Sequence, residues 1–220
     1  MKTVISLSGG LDSGVMLGML MALGHEVHAV TFDYGSKHGQ YEIDAAKRLV
    51  AFYMVPHQVI DVRGIFAGFN SALLKVDGRP IPEGHYEDKS MSLTVVPGRN
   101  MIFASILAGL AESLGYDAVS LGIHAGDHAI YPDCRPGFKA AMNKAIGAAT
   151  EYKVDLYAPF LEMSKGQIVA EGLEYNIPFR LTRTCYKDQP LPCGKCGSCT
   201  ERLEAFAFAG IQDPVDYATK

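Results

Sequence analysis

Residues 3–13 read TVISLSGGLDS. A β-rich run passes straight into a Ser-Gly-Gly turn, and the apolar segment 14–23 follows at once, so the order is strand, loop, helix. The turn sits where a strand's carboxyl end meets a helix N-terminus. Glycines there let the backbone approach an anion and turn several N–H groups toward it, and the helix beginning near Ser13 adds its positive dipole end. The hydroxyls of Ser8 and Ser13 can donate further bonds to phosphate oxygens. The stretch matches neither the GxxxxGKS phosphate loop nor the dinucleotide GxGxxG. A plain Gly-Gly turn with Asp12 or Ser13 as the helix cap is the alternative reading.

Working outward, a second strand is expected at 26–32, and Ile43, Ala46, Leu49 and Val50 share one helical face. A third strand at 57–62 and a short helix at 64–74 follow. Residues 77–95 are rich in Gly, Pro and charge with little periodicity, a length of irregular chain that is usually functional or mobile. Glu83, Glu87 and Asp88 within it read as a solvated acidic stretch. Helices at 99–114, 137–150 and 164–175, the last starting from the cap-like Ser164, alternate with strands at 118–121 and 155–158. This alternation predicts an α/β fold with a doubly wound five-stranded parallel sheet over residues 1–180. Residues 181–220 form a small cysteine-rich appendage closed by a helix at 198–209.

In such a sheet ligands gather at the carboxyl ends of the strands. Phe32, Asp33 and Tyr34 end the second strand there, and VPGRN at 96–100 sets Arg99 and Asn100 before a helix. Arg99 can neutralise a phosphate or carboxylate, or the motif is a Pro-Gly turn capped by Asn100. Asp127 and Asp133 bracket a loop in which either carboxylate could accept the N–H donors of a guanine-like ring edge. His124 and His128 flank that loop. Cys134 within it reads as a small buried hydrophobe rather than a nucleophile. Lys165, at a helix start, could reach phosphate or lie on the surface.

The remaining cysteines, Cys185, Cys193, Cys196 and Cys199, lie within fifteen residues, with Gly194 and Gly197 permitting tight turns between them. In a cytosolic chain this clustering favours metal over disulfides. Four thiolates suit a closed, structural tetrahedral zinc site, and an iron–sulfur cluster would use the same ligands. With 48% hydrophobic and 20% charged residues, disorder is disfavoured for the 220-residue chain. The formal charge of -4 and the lack of a Lys/Arg block argue against a nucleic-acid partner. The longest apolar stretches, 15–23 and 102–111, fall short of the ~18–20 residues that cross a bilayer. The N-terminal residues lack a secretory pattern, so a cytoplasmic location is expected.

SGGLDS directly after the first strand resembles the signature of the N-type ATP pyrophosphatase (PP-loop) superfamily. TFDYGSKH at 31–38, VPGRN, GD with YPDCR at 126–135 and the four cysteines in order are similar to the 7-cyano-7-deazaguanine synthase family, over residues 4–202. The resemblance implies an adenine nucleotide alpha hydrolase-like fold. It implies ATP bound by Leu7, Ser8, Gly9, Gly10, Leu11, Asp12, Ser13, Phe32, Tyr34, Gly98 and Arg99. It implies catalytic roles for Ser8, Asp12, Ser13, Arg99 and Lys165, and substrate contacts from His38, Asp127, Tyr131, Asp133 and Arg135. Zinc on the four cysteines, Mg2+ with ATP, and a homodimer are implied as well. The implied reaction joins 7-carboxy-7-deazaguanine and ammonia, with ATP, to give the nitrile. The chain departs from the family pattern at Gly14, where Thr is usual, at GSKH in place of GQRH, and at GDHAIYPDC in place of TDFSGYPDC. A product that stops at the amide, another PP-loop amide ligase, a tRNA thiolase, and a zinc-ribbon module with a retained ATP loop are the alternatives.

Overall fold

Strand β1 (Lys2–Ser6) is the centre of a five-stranded sheet of order β3-β2-β1-β4-β5, in which β2 is Glu26–Asp33, β3 His57–Asp61, β4 Ala118–Ser120 and β5 Asp155–Tyr157. Every neighbouring pair is parallel, as the alternation of strands and helices requires. The computed structural model describes residues 1–86 and 88–218, so Glu87 of the acidic stretch lies outside the described residues.

The pleat divides the core in two. Val4, Val30, Phe32 and Val119 face one layer, whereas Ile5, Val27 and Ala29 face the other. On the first side lie α4 (Arg99–Leu114) and α5 (Pro136–Ala149). On the second lie α1 (Leu11–Ala22), α2 (Gly39–Tyr53), α6 (Lys165–Glu174) and α7 (Gly197–Phe208). Ser164 starts α6 with a capping box, its hydroxyl accepting from Gln167 N while Gln167 caps Ser164 N in return.

Two local expectations need correction. Helix α1 starts at Leu11, so Ser13 is inside its first turn rather than at its edge. The helix expected at 64–74 is only α3 (Arg63–Phe66). Beyond it the backbone pairs with distant chain instead: Ala72 N donates to Leu93 O, Lys37 N to Leu73 O and Lys75 N to Gly35 O, all within 2.9 Å. The run Lys89–Leu114 has the length and composition of a bilayer-crossing helix. It is nevertheless two pieces, a 3-10 turn at Lys89–Thr94 and α4, and α4 packs Phe103, Ala104, Leu107 and Ala111 against the sheet.

Helix α7 is fastened by Arg202, which is 2% exposed. Its guanidinium donates to both carboxylate oxygens of Asp213 at 2.6 and 2.9 Å, to Thr182 Oγ1 at 2.7 Å and to Phe179 O at 3.3 Å. Removing the carboxylate leaves a buried cation unpaired. Asp213→Ala is therefore expected to lower stability by about 3–5 kcal/mol in urea unfolding, and an unchanged midpoint would show that the pair is not holding α7.

Candidate active site

The sheet order reverses between β1 and β4, and a crevice lined largely by polar side chains opens at their carboxyl ends. Its floor is the β1–α1 loop. Gly9 has φ +78°, and a Cβ there would lie 2.5 Å from Glu42 O and 2.6 Å from Ala46 N, so α2 passes too close for any other residue. Gly10 caps α1 with no side-chain bond, leaving the helix N-terminus turned to the cavity. Ser8 Oγ and Ser13 Oγ are 3.0 Å apart, and Gly10 N donates to Ser8 Oγ at 3.1 Å. Arg183 N donates to Gly9 O at 2.8 Å, tying this loop to the chain just before the cysteines. A Cβ at Gly14 would meet Thr182 Cγ2 at 2.8 Å.

The wall beside β2 is aromatic. Phe32 stacks on Phe103 with centroids 4.0 Å apart. Tyr34 accepts from the Arg99 guanidinium at 3.2 Å, and burial pushes its phenol up to about 12, with Glu42 adding to the effect. Gly98, at φ +63°, caps α4 and so places Arg99 at the first helical residue. His38 is 1% exposed and lines the cavity, its Nε2 3.4 Å from Glu42 Oε1; neither ring nitrogen has a hydrogen-bond partner.

Opposite lies a buried charge cluster. Lys165 Nζ is 2.6 Å from Glu201 Oε2 and 3.4 Å from Asp12 Oδ2, with the side chain 8% exposed. Burial works against its charge, yet Asp12, Glu201 and Asp127 outweigh burial and hold its pKa above the ordinary lysine value. Asp127 accepts from Tyr86 OH, and His124 Nε2 is 3.4 Å away. Burial alone would raise Asp127, but His124, Lys165, the Tyr86 bond and Arg99 leave it below the usual carboxylate range. In Glu201 burial prevails and the pKa rises. Asp12 Oδ1 is buried without a partner beside the glycine loop, an arrangement that suits a hard cation.

Of the candidates read from sequence, Leu7, Ser8, Gly10, Asp12, Ser13, Phe32, Tyr34, His38, Arg99, Asp127, Tyr131 and Lys165 line this one cavity. Gly9, Leu11 and Gly98 shape it from behind. Asp133 and Arg135 lie outside its lining: Asp133 accepts from Asn100 N at the start of α4, and Arg135 donates to His128 O within its own loop. Cys134 lines the cavity as a neutral thiol, pushed up by burial and then by Asp127 and Asp133. Sequence reading missed Glu201, Tyr86, Arg183, Thr184, Tyr186 and Ser198. Tyr186 and Ser198 are the immediate neighbours of Cys185 and Cys199, the signal that could have found them.

The four clustered cysteines are buried, and their sulfurs lie within 4.8 Å of one another. A tetrahedral ion with ~2.3 Å bonds sets sulfurs about 3.8 Å apart; Cys193 and Cys199 Sγ are separated by 3.9 Å. That spacing fits one ion rather than a multi-iron cluster. Backbone amides point at the sulfurs, Lys187 N and Cys193 N at Cys185 Sγ, and Lys195 N and Cys196 N at Cys193 Sγ, all within 3.4 Å. Bonds from Cys196 and Cys199, with these amides, hold Cys185 far below the ordinary thiol range, and in turn Cys185 and Cys196 push Cys199 up. Four such groups ionise together only around a cation.

The fold and crevice define a doubly wound α/β protein of the adenine nucleotide alpha hydrolase-like kind. Solved structures share it at low identity: an NMN synthetase from Francisella tularensis (TM-score 0.52, 15% identity, covering 96% of this chain and 77% of that one), and a predicted subunit of tRNA methyltransferase from Methanocaldococcus jannaschii (0.52, 14%, 97% and 90%). The family model described as "Queuosine biosynthesis protein QueC" matches residues 2–210, and the chain belongs to that family. Relatives include 7-cyano-7-deazaguanine synthases from Marinobacter nauticus, 46% identical over 98% of this chain and 97% of the relative, and from Methanoregula boonei, 45% identical over 99% of each.

Gly9→Ala is expected to lower stability by about 2–4 kcal/mol, combining the positive φ with overpacking against α2; wild-type stability in urea would contradict the close loop–helix approach. The purified chain should carry one metal ion per molecule, and cobalt exchanged into the site should show the charge-transfer bands of thiolate ligation. Cys199→Ser should lower the intensity of those bands by about a quarter, the share of one thiolate in four, and undiminished intensity would exclude that residue as a ligand.

Proposed function

We propose that the chain converts 7-carboxy-7-deazaguanine and ammonia into 7-cyano-7-deazaguanine, using two ATP. The observation that carries this reading is the pairing of an uncapped helix N-terminus behind Gly9 and Gly10 with the cations Lys165 and Arg99 across one cavity. Such an arrangement suits a triphosphate whose pyrophosphate is the leaving group.

A carboxylate is a poor electrophile because its oxygen is a poor leaving group. One carboxylate oxygen attacks the α-phosphorus of ATP, pyrophosphate departs, and a mixed anhydride with AMP results. Ammonia adds to the acyl carbon, a proton leaves the nitrogen, and AMP departs with that oxygen, giving the amide. The amide oxygen then attacks a second ATP in the same way. Loss of the two remaining N–H protons, one as the adenylated imidate forms and one as AMP departs with the second oxygen, closes the carbon–nitrogen triple bond.

No covalent enzyme intermediate is needed, and the work of the chain is positioning and charge stabilisation. The N–H groups of residues 9–13 and the hydroxyls of Ser8 and Ser13 would hold pyrophosphate, and Arg99 and Lys165 would offset developing charge. Asp12 would hold magnesium, whose chemistry when bound is to neutralise charge on the phosphates. His38, which lines the cavity with Nε2 3.4 Å from Glu42 Oε1, is suited to take the nitrogen's protons, assisted by Glu42. Asp127 and Tyr131 would meet the polar edge of the heterocycle. Cys185, Cys193, Cys196 and Cys199 would bind zinc, whose closed thiolate shell supplies folding energy. Residues 1–180 then form the ATP-binding catalytic unit and 181–220 the zinc-binding segment.

Incubation with 7-carboxy-7-deazaguanine, ammonium and magnesium ATP, followed by mass spectrometry, is expected to yield the nitrile. Amide accumulating at long times with no nitrile would overturn the second half of the reaction, and absence of both products would overturn the substrate. Arg99→Met is expected to lower turnover by about 10²-fold or more, the scale of losing one preorganised charge-stabilising donor.

A further inference from the structure

Lys165 is held by a carboxylate from outside the sheet and its crossover helices. Glu201 lies on α7, one turn past Cys196, which caps that helix, and two residues past Cys199 in its first turn. Its Oε2 accepts from Lys165 Nζ at 2.6 Å, and the side chains are 12% and 8% exposed. The backbone under Glu201 is fixed from both sides, by the cysteine cluster before it and by the Arg202–Asp213 pair after it. Lys165 has three ammonium donors. With Glu201 taking one at close range, and Asp12 at 3.4 Å, the ammonium is kept at the rim of the glycine loop instead of collapsing onto Asp12. Tyr86 closes the remaining side, its ring centroid 5.9 Å from Nζ.

We infer that Glu201 is a positioning residue, which aims Lys165 at the ATP phosphates and so makes the cysteine-bearing segment part of the reaction centre. The inference rests on the ATP half of the proposed reaction, not on the identity of the deazapurine. A leucine in its place, of similar size but with no acceptor, would free Lys165 to fold onto Asp12. A glutamine would keep an acceptor oxygen at the same point.

The test is a mutant cycle read by calorimetric binding of magnesium ATP, with the metal content of every variant measured alongside. Lys165→Met and Glu201→Leu should each weaken binding by about tenfold or more, the scale of one charge-assisted hydrogen bond. Glu201→Gln should stay within about threefold of the wild type, and Glu201→Leu in the Lys165→Met background should cost nothing further, because residues acting through one another are not additive. Glu201→Asp, which retains the charge but draws the acceptor back by one methylene, should show a smaller loss of the same kind and serves if the leucine variant does not fold.

Wild-type affinity in Glu201→Leu, equal losses in the leucine and glutamine variants, or a leucine loss undiminished without Lys165 would each overturn the inference. The readout uses ATP alone. A chain that shows the coupling but releases no pyrophosphate with 7-carboxy-7-deazaguanine would therefore overturn the substrate and leave Glu201 in place. A wild-type chain that binds no ATP would overturn both.

Discussion

The ammonium of Lys165 is buried, and a buried ammonium persists only among opposite charges. Its carboxylate partners come from three separate parts of the chain: Asp12 in the first turn of α1, Asp127 in the turn after β4, and Glu201 on α7. Satisfying one cation thus draws together the glycine loop, the far side of the strand-order reversal and the cysteine segment. The parallel sheet opens the crevice, and this cluster closes one end of it. Arg99 is framed at the other side by Tyr34, whose hydroxyl accepts from it and whose ring it covers at 5.5 Å.

The cysteine segment is consequently more than an attachment to the sheet domain. Arg183 bonds the glycine loop through its amide and reaches the carbonyls of Lys187, Gln189 and Pro190 with its guanidinium. Ser198 Oγ donates to Thr184 O at 2.8 Å, and both residues face the cavity. Metal ligation, which orders Cys185 to Cys199, would thereby order a wall of the same crevice.

Much of this was legible in the sequence, for identifiable reasons. The sheet and most helices follow from apolar periodicity and from caps such as Ser164, and the glycine loop from its place between β1 and α1. The failures share a cause. The helix expected at 64–74 has suitable residues, but long-range backbone pairing with Gly35, Lys37 and Leu93 overrides local preference. Glu201 was invisible because one glutamate on an amphipathic helix reads as solvated, and only tertiary packing sets it against Lys165. The space at Gly14 is limited by Thr182, a contact 168 residues away that no local reading contains.

The central claim is that the carboxylate loses both oxygens to AMP. Substrate carrying 18O in both carboxylate oxygens tests it most directly, by mass analysis of the nucleotide products. The account predicts two AMP molecules for each nitrile, each with one 18O, and unlabelled pyrophosphate. Unlabelled AMP, with the isotope in pyrophosphate, inorganic phosphate or water, would contradict it.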